Sequence, residues 1–330
     1  MTPALLLSRP DLESLLDFGP VLDRLQRAFL AERRGEWDTP RRIAAHTHDG
    51  GLLAMPCGGG DPAALGAKLV TTFPKNSAAG LPSVSGLYAL FDPRTGAPEA
   101  VMDGAYLTLV RTACVSALAA RTLSSPASRS LGILGAGAQA GFHIRAFARV
   151  RAIETVRVWS RRRDQAESLI ASLRGRPELA GIRSWEVCDS AEAPSRCDLV
   201  VTATSATEAV LHGRWLSPHA HVTPIGAHTR HTREIDAEAV SRAARLVVET
   251  RDTLLEAGDF QRAETEAPGQ VGRVETLGDI IDAAAAGGPP PRPGITIFKS
   301  CGVAFEDLAV ASLILDEARK RGAGVPFAFA

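Results

Sequence analysis

The chain has 330 residues, 37 basic and 37 acidic side chains, and only 5% aromatic residues. That length accommodates two domains with substantial cores, the charge balance offers nothing to a polyanion, and the few aromatics leave little stacking surface for single-stranded nucleic acid. Neither nucleic acid nor a membrane surface is therefore expected as a partner.

The apolar patch at 4–7 lacks a basic segment before it and does not read as a signal peptide. No uncharged apolar run reaches the ~18–20 residues of a membrane span. The five cysteines (Cys57, Cys114, Cys188, Cys197 and Cys301) are odd in number and lack C-x-x-C spacing. They suit a reducing compartment with mostly buried thiols, so the cytoplasm is the expected location.

Residues 20–34 predict a helix with Val21, Leu22, Leu25 and Phe29 on one face. Strand-like runs follow at 42–46, 52–55, 67–71 and 83–91. After a turn at 92–96 comes another at 99–102, and together they predict an antiparallel sheet. Leu107, Val110, Cys114, Ala117 and Leu118 then recur at helical spacing across 106–123. Beyond them, strands predicted at 131–134, 155–159, 198–202, 221–225 and 245–249 alternate with helical segments, as a parallel sheet requires. The run from Gly287 to Pro293 reads as a stiff loop. A last strand at 294–298 precedes a helix at 303–320, expected to pack beside the 106–123 helix and return the chain to the first domain. The fold class expected is α/β, a Rossmann-type parallel-sheet domain plus an α+β N-terminal domain completed by the C-terminal helix.

The 131–134 strand ends in Gly135-Ala136-Gly137. A glycine at 135 permits a tight turn, and one at 137 lets backbone N–H groups approach a pyrophosphate at the positive end of the next helix. Ala140 fills the third position of G-x-G-x-x-G. About 20–25 residues on, where an NAD-preferring site places an acid for the ribose hydroxyls, stands Ser160-Arg161-Arg162-Arg163. Cations at the start of a helix predicted over 164–173 oppose its dipole, a conflict that a 2′-phosphate would relieve. This predicts NADP(H) as the preferred cofactor, with NAD(H) as the other candidate and a solvated basic turn as the plainer reading. The pairs His46/His48, His219/His221 and His228/His231 have no acids or cysteines at ligand spacing, so no metal is expected.

Several ordered segments together resemble the ornithine cyclodeaminase and mu-crystallin family. They are Met55-Pro56, Gly66-Ala-Lys-Leu-Val, Pro74-Lys-Asn, Leu109-Val-Arg-Thr-Ala, Gly135-Ala-Gly-Ala-Gln, Arg233-Glu-Ile-Asp and Ile297-Phe-Lys-Ser-Cys-Gly-Val-Ala-Phe-Glu-Asp-Leu-Ala. The resemblance implies a nicotinamide-dependent enzyme acting on amino or cyclic imino acids, commonly a homodimer built through its N-terminal sheet. It places a substrate-binding and dimerisation domain at 1–112 with 303–330, and a dinucleotide-binding domain at 113–302.

Lys68, in an otherwise apolar strand, needs an anion to offset its burial, either a structural carboxylate or the substrate's. The resemblance supports the substrate, and gives Lys68 a place in the catalytic centre. It also implies Arg42 as a second carboxylate ligand, a planar fork suited to bidentate contact, with Arg41 as the neighbouring alternative. Arg111 is implied at both substrate and cofactor, and Thr112 near the cofactor phosphates. Ser83, Ala138, Gln139, Thr204 and Cys301 fall at further cofactor-contact positions.

His228 stands in the loop where ornithine cyclodeaminases carry an aspartate. A histidine offers no permanent negative charge to ornithine's side-chain amine, yet suits proton donation to a reduced imine; His231 is its alternative. The activity expected is NADPH-dependent reduction of pyrroline-2-carboxylate or piperideine-2-carboxylate. Ornithine cyclodeaminase, an alanine-type dehydrogenase and a non-catalytic NADPH-binding crystallin are the rival readings.

Overall fold

The structure, a computed structural model, describes residues 3–288 and 293–329. Residues 289–292 of the proline-rich loop lie outside them. In chain order the elements begin β1 Ala4–Leu7, α1 Arg9–Leu15, α2 Phe18–Arg33, β2 Trp37–Asp38, β3 Ile43–His46, β4 Gly51–Gly59 and β5 Ala64–Thr72. Next come β6 Val84–Phe91, β7 Pro98–Asp103, α3 Gly104–Leu123, β8 Ser130–Leu134, α4 Ala138–Val150, β9 Thr155–Trp159, α5 Arg163–Leu173 and β10 Ser184–Val187. The remainder is α6 Glu192–Ser195, β11 Leu199–Thr202, β12 His221–Pro224, α7 Ala237–Arg242, β13 Ala243–Val248, α8 Gly258–Glu266, β14 Val274–Thr276, α9 Leu277–Ala285, β15 Ile295–Lys299, α10 Ala304–Arg321 and β16 Val325–Phe327. The chain divides into two compact units, 1–111 with 303–330, and 112–302. No described helix is long and apolar enough to cross a membrane.

The first unit is built on a sheet of order β16-β1-β7-β6-β5-β4-β2, with β3 also paired to β4. Strands β4 to β7 are antiparallel, as the turn spacing predicts. The sheet is nevertheless mixed, because the 4–7 patch forms β1, which joins β7 in parallel and β16 in antiparallel pairing. Alternation sorts its residues onto two faces. Directly paired positions Met55, Lys68, Tyr88 and Met102 form one buried row across four strands. The opposite face carries exposed Ile43, Leu52, Leu65, Leu69 and Leu87.

Helix α10 covers the buried face, and its chief neighbours are α2, β5 and β4. This corrects the expectation that it runs beside the 106–123 helix. The physical reason lies in its own sequence, since Phe305, Leu308, Ala309 and Val310 are all buried and Phe305 packs edge-on against Phe29 of α2.

The second unit is a sheet of order β10-β9-β8-β11-β12-β15-β13-β14 with every pairing parallel. Strands β11, β12 and β15 are buried at every position, as expected where helices cover both faces of such sheets. From β8 the order runs one way to β9 and the other way to β11, which makes the carboxyl ends of β8 and β11 the topological switch point where open α/β sheets bind ligands.

Candidate active site

Gly135 sits at that switch point. Its φ of 110° is in the left-handed region, and a β-carbon there would lie 2.3 Å from Ala203 O at the end of β11. Both constraints demand glycine. Gly135→Ala is expected to cost about 2–3 kcal/mol of stability, read as a lower urea midpoint; an unshifted midpoint would contradict that packing.

Gly137 caps α4 without a side-chain hydrogen bond, and a β-carbon on it would meet nothing within 4 Å. Its backbone thus borders open space at a helix N-terminus. Beside it, Gln139 Oε1 is buried with no hydrogen-bond partner among the described residues. An open glycine turn, an uncapped helix start and an orphaned acceptor fit a dinucleotide diphosphate and its ribose hydroxyls. Ala138 is exposed.

At the end of β9, Ser160 is half-buried, while Arg161 and Arg162 are exposed and make no ion pair among the described residues. The helix here starts one residue earlier than predicted, at Arg163, because Arg163 is answered locally by Glu167 at 2.9 Å and by Asp189. Two arginines therefore remain for an anion rather than three.

Two loops at the carboxyl edge of this sheet are held by buried charges that sequence reasoning did not single out. Glu234 accepts from Thr202 Oγ1 at 2.8 Å, from Thr204 N and Oγ1 at 2.7 Å, and from Gly226 N at 2.6 Å. Burial raises its carboxyl above the usual range, partly offset by the Lys299 charge. Thr204 is thus committed to Glu234 through both amide and hydroxyl.

Asp259 accepts from Glu234 N at 2.6 Å and Ile235 N at 3.1 Å, and lies 2.8 Å from Lys299 Nζ. Lys299 also donates to Pro224 O at 3.1 Å and to Ala227 O. His228, exposed, places its Nδ1 3.1 Å from Gly226 O, and His231 is exposed in the same loop. On the neighbouring turn, Glu249 accepts from Ser300 Oγ at 2.6 Å, Cys301 N at 2.8 Å and Gly302 N at 3.0 Å.

In the first unit, Lys68 is fully buried and donates to Asp307 Oδ2 at 2.6 Å. Arg111, on α3, reaches Asp307 Oδ1 at 2.9 Å and Glu306 Oε2 at 3.1 Å. Both acids lie in the first turn of α10 and are buried. The structural-carboxylate reading of Lys68 is thereby met. Burial pushes the Lys68 ammonium down to about 8, against the pull of Asp307 and with the push of the Arg111 and Arg42 charges. Arg111 and Lys68 hold Asp307 below the usual carboxylate range although burial opposes it.

Arg42 is half-buried and stands one residue before β3, whose register with β4 continues to Met55 and so onto the Lys68 row. Arg41 is exposed and, by alternation, belongs to the other face. Thr112 is buried, with its carbonyl accepting from Ser116 Oγ at 3.0 Å. Ser83 is half-buried just before β6, and its carbonyl accepts from Phe73 N.

The second unit, with its all-parallel sheet and glycine turn at the switch point, is of Rossmann type, and the whole is a two-unit α/β protein. The sequence profile of the ornithine cyclodeaminase/mu-crystallin family matches residues 4–322, and the chain belongs to that family. It is 38% identical over 271 residues to the ketimine reductase mu-crystallin of Mus musculus, covering 82% of this chain and 81% of that protein. The solved structure of Thermococcus litoralis Δ1-pyrroline-2-carboxylate reductase, in complex with NADH and L-proline, matches with a TM-score of 0.88 at 34% identity over 97% of this chain and 99% of that one. An archaeal alanine dehydrogenase dimer with bound NAD matches with a TM-score of 0.90 at 31% identity over 99% of each chain.

Proposed function

We propose that the protein is an NADPH-dependent reductase of cyclic imino acids, converting Δ1-pyrroline-2-carboxylate or Δ1-piperideine-2-carboxylate to L-proline or L-pipecolate, with NADH as the lesser cofactor. The observation that carries this reading is the buried ion cluster of the first unit, in which Lys68 meets Asp307 at 2.6 Å and Arg111 meets both Asp307 and Glu306, with the Arg42 charge acting on Lys68. Such a gathering of cations around Lys68 suits a substrate carboxylate. In the loop where a cyclodeaminase carries an acid for ornithine's side-chain amine, this chain has His228.

In this reading the bound nicotinamide supplies hydride to the imine carbon. Gly135, Gly137, Ala138 and Gln139 hold the diphosphate, and Ser160, Arg161 and Arg162 hold the 2′-phosphate. Thr112, Ser83, Thr204 and Cys301 complete the dinucleotide contacts, with Thr204 and Cys301 fixed in place by Glu234 and Glu249. Arg42 and Lys68 grip the carboxylate, and Arg111 holds Asp307 against Lys68 while contributing its own charge. His228 donates the proton to nitrogen as the carbon receives hydride, so C=N becomes CH–NH. The names of the relatives, reductases of ketimines and of pyrroline-2-carboxylate, support the substrate class. Mixing the purified protein with NADPH and each imine is expected to yield one proline or pipecolate per NADPH oxidised; no turnover with either ring would remove the reading.

We also propose a homodimer. Ile43, Leu69 and Leu87 lie in one exposed row on the sheet face opposite Lys68, an apolar strip of the kind that marks an interface. Leu69→Lys is expected to give a monomer by sedimentation; an unchanged dimer would move the interface elsewhere.

A further inference from the structure

The loop carrying His228 is held in an unusual way. Between Pro224 and Ile235 its anchors are charges rather than apolar side chains. Lys299 donates to carbonyls at both ends of the first turn, Pro224 O at 3.1 Å and Ala227 O. Asp259 fixes the far end through Glu234 N and Ile235 N and holds Lys299 at 2.8 Å. Glu234 closes the ring by accepting from Gly226 N, and all three side chains are fully buried.

Two glycines let backbone pack directly on backbone. A β-carbon on Gly226 would lie 2.1 Å from Thr204 O, and one on Gly258 would lie 2.5 Å from Thr229 O and 2.3 Å from Thr232 O. The loop is thus clamped from β15, from α8 and from the end of β11, although its exposed tip contributes almost nothing apolar. Burying an ammonium with two carboxylates is a poor route to stability compared with apolar packing, which makes a geometric role the better account of it.

We propose that Lys299, with Asp259, is a positioning residue that presets the His228 loop for proton delivery. The inference rests on the reductase reading for the proton step, but not for the clamping itself. The buried Lys299 ammonium meets Asp259 and the two loop carbonyls, so its effect on His228 runs through the loop backbone. Against the desolvation that burial imposes, the Asp259 and Glu234 charges hold its pKa above the ordinary lysine value.

The test uses the full-length protein and two variants, Lys299→Met and Asp259→Asn; the asparagine retains an acceptor for the two N–H groups but removes the charge facing Lys299. In hydrogen exchange, amides 226–232 are expected to exchange about tenfold faster in either variant while those of β8 and α4 stay unchanged. In kinetics, kcat is expected to fall about tenfold or more with the KM for NADPH within about twofold, and His228→Ala combined with Lys299→Met should be no slower than His228→Ala alone.

Unchanged loop exchange in both variants overturns the proposal, as do losses that multiply with His228→Ala or NADPH binding that weakens in step with kcat. If Lys299→Met does not fold, Asp259→Asn decides by the same readouts. If the wild-type protein reduces no imine, the reductase reading fails while loop exchange still judges the clamp.

Discussion

Lys68→Met is expected to lower kcat/KM for the imino acid by about 10²–10³-fold, the kinetic equivalent of roughly 3–4 kcal/mol, with NADPH affinity nearly unchanged. The methionine keeps the volume and removes the charge, leaving Asp307 to Arg111 alone. Steady-state kinetics beside NADPH fluorescence titration separates the two effects. Equal losses in both would mean that the fold, rather than the carboxylate site, had been damaged.

The same residue sets a pH dependence whose sign differs for activity and stability. Lys68 is brought from its ordinary 10.5 down to about 8 by burial, so carboxylate binding weakens as pH rises through about 8. The unfolded chain binds more protons than the folded one between those two values, so the Lys68 contribution to stability rises with pH across that window. Activity falling while stability rises over the same range is the expected signature. Loss of both trends in Lys68→Met would confirm their origin, and their persistence would assign them to another group.

Arg161→Ala is expected to weaken NADPH about ten- to hundredfold and NADH by little. A charge-assisted contact to a 2′-phosphate is worth ~1.5–3 kcal/mol. Arg161 and Arg162 stand exposed at the end of β9, while their neighbour Arg163 is occupied by Glu167 and Asp189. Binding of each dinucleotide measured by fluorescence checks this, and equal losses for both would contradict the phosphate role. The double variant Arg161→Ala/Arg162→Ala tests whether the two share the load.

The parallel sheet was legible because short strand-like segments such as Leu199-Val200-Val201 alternate with helical ones, and the glycine turn was legible because the conformation at 135 requires glycine. Lys68 declared itself as a charge in an apolar strand, and the family resemblance pointed to Arg111. Their partners did not. Glu306 and Asp307 stand in the first turn of a helix, where acids are ordinary and favoured by the dipole, so nothing local reveals that they are buried. The contact itself joins residues 239 positions apart, and one sequence holds no record of such pairings.

Glu234, Asp259, Glu249 and Lys299 were missed for the same reason, since Lys299 meets Pro224 across 75 residues. Strand β1 was passed over because its four residues become a strand only when β7 supplies a parallel edge. That Arg41 and Arg42 fall on opposite faces needed the register of β3 with β4, which, continued by one residue, brings Arg42 to the Lys68 row. The side chain at the centre of the charge cluster could be read from sequence, while the acids that tune it needed the fold.

The central claim is that Lys68, beside Asp307, and Arg42 bind the carboxylate of a substrate reduced by a dinucleotide held at Gly135–Gln139. A crystal structure of the protein with NADP⁺ and L-proline tests it most directly. The account predicts the proline carboxylate within hydrogen-bonding distance of Arg42 and Lys68, the diphosphate against Gly137 and the 2′-phosphate at Arg161. A proline carboxylate bound away from both cations, or a diphosphate away from that turn, would contradict it.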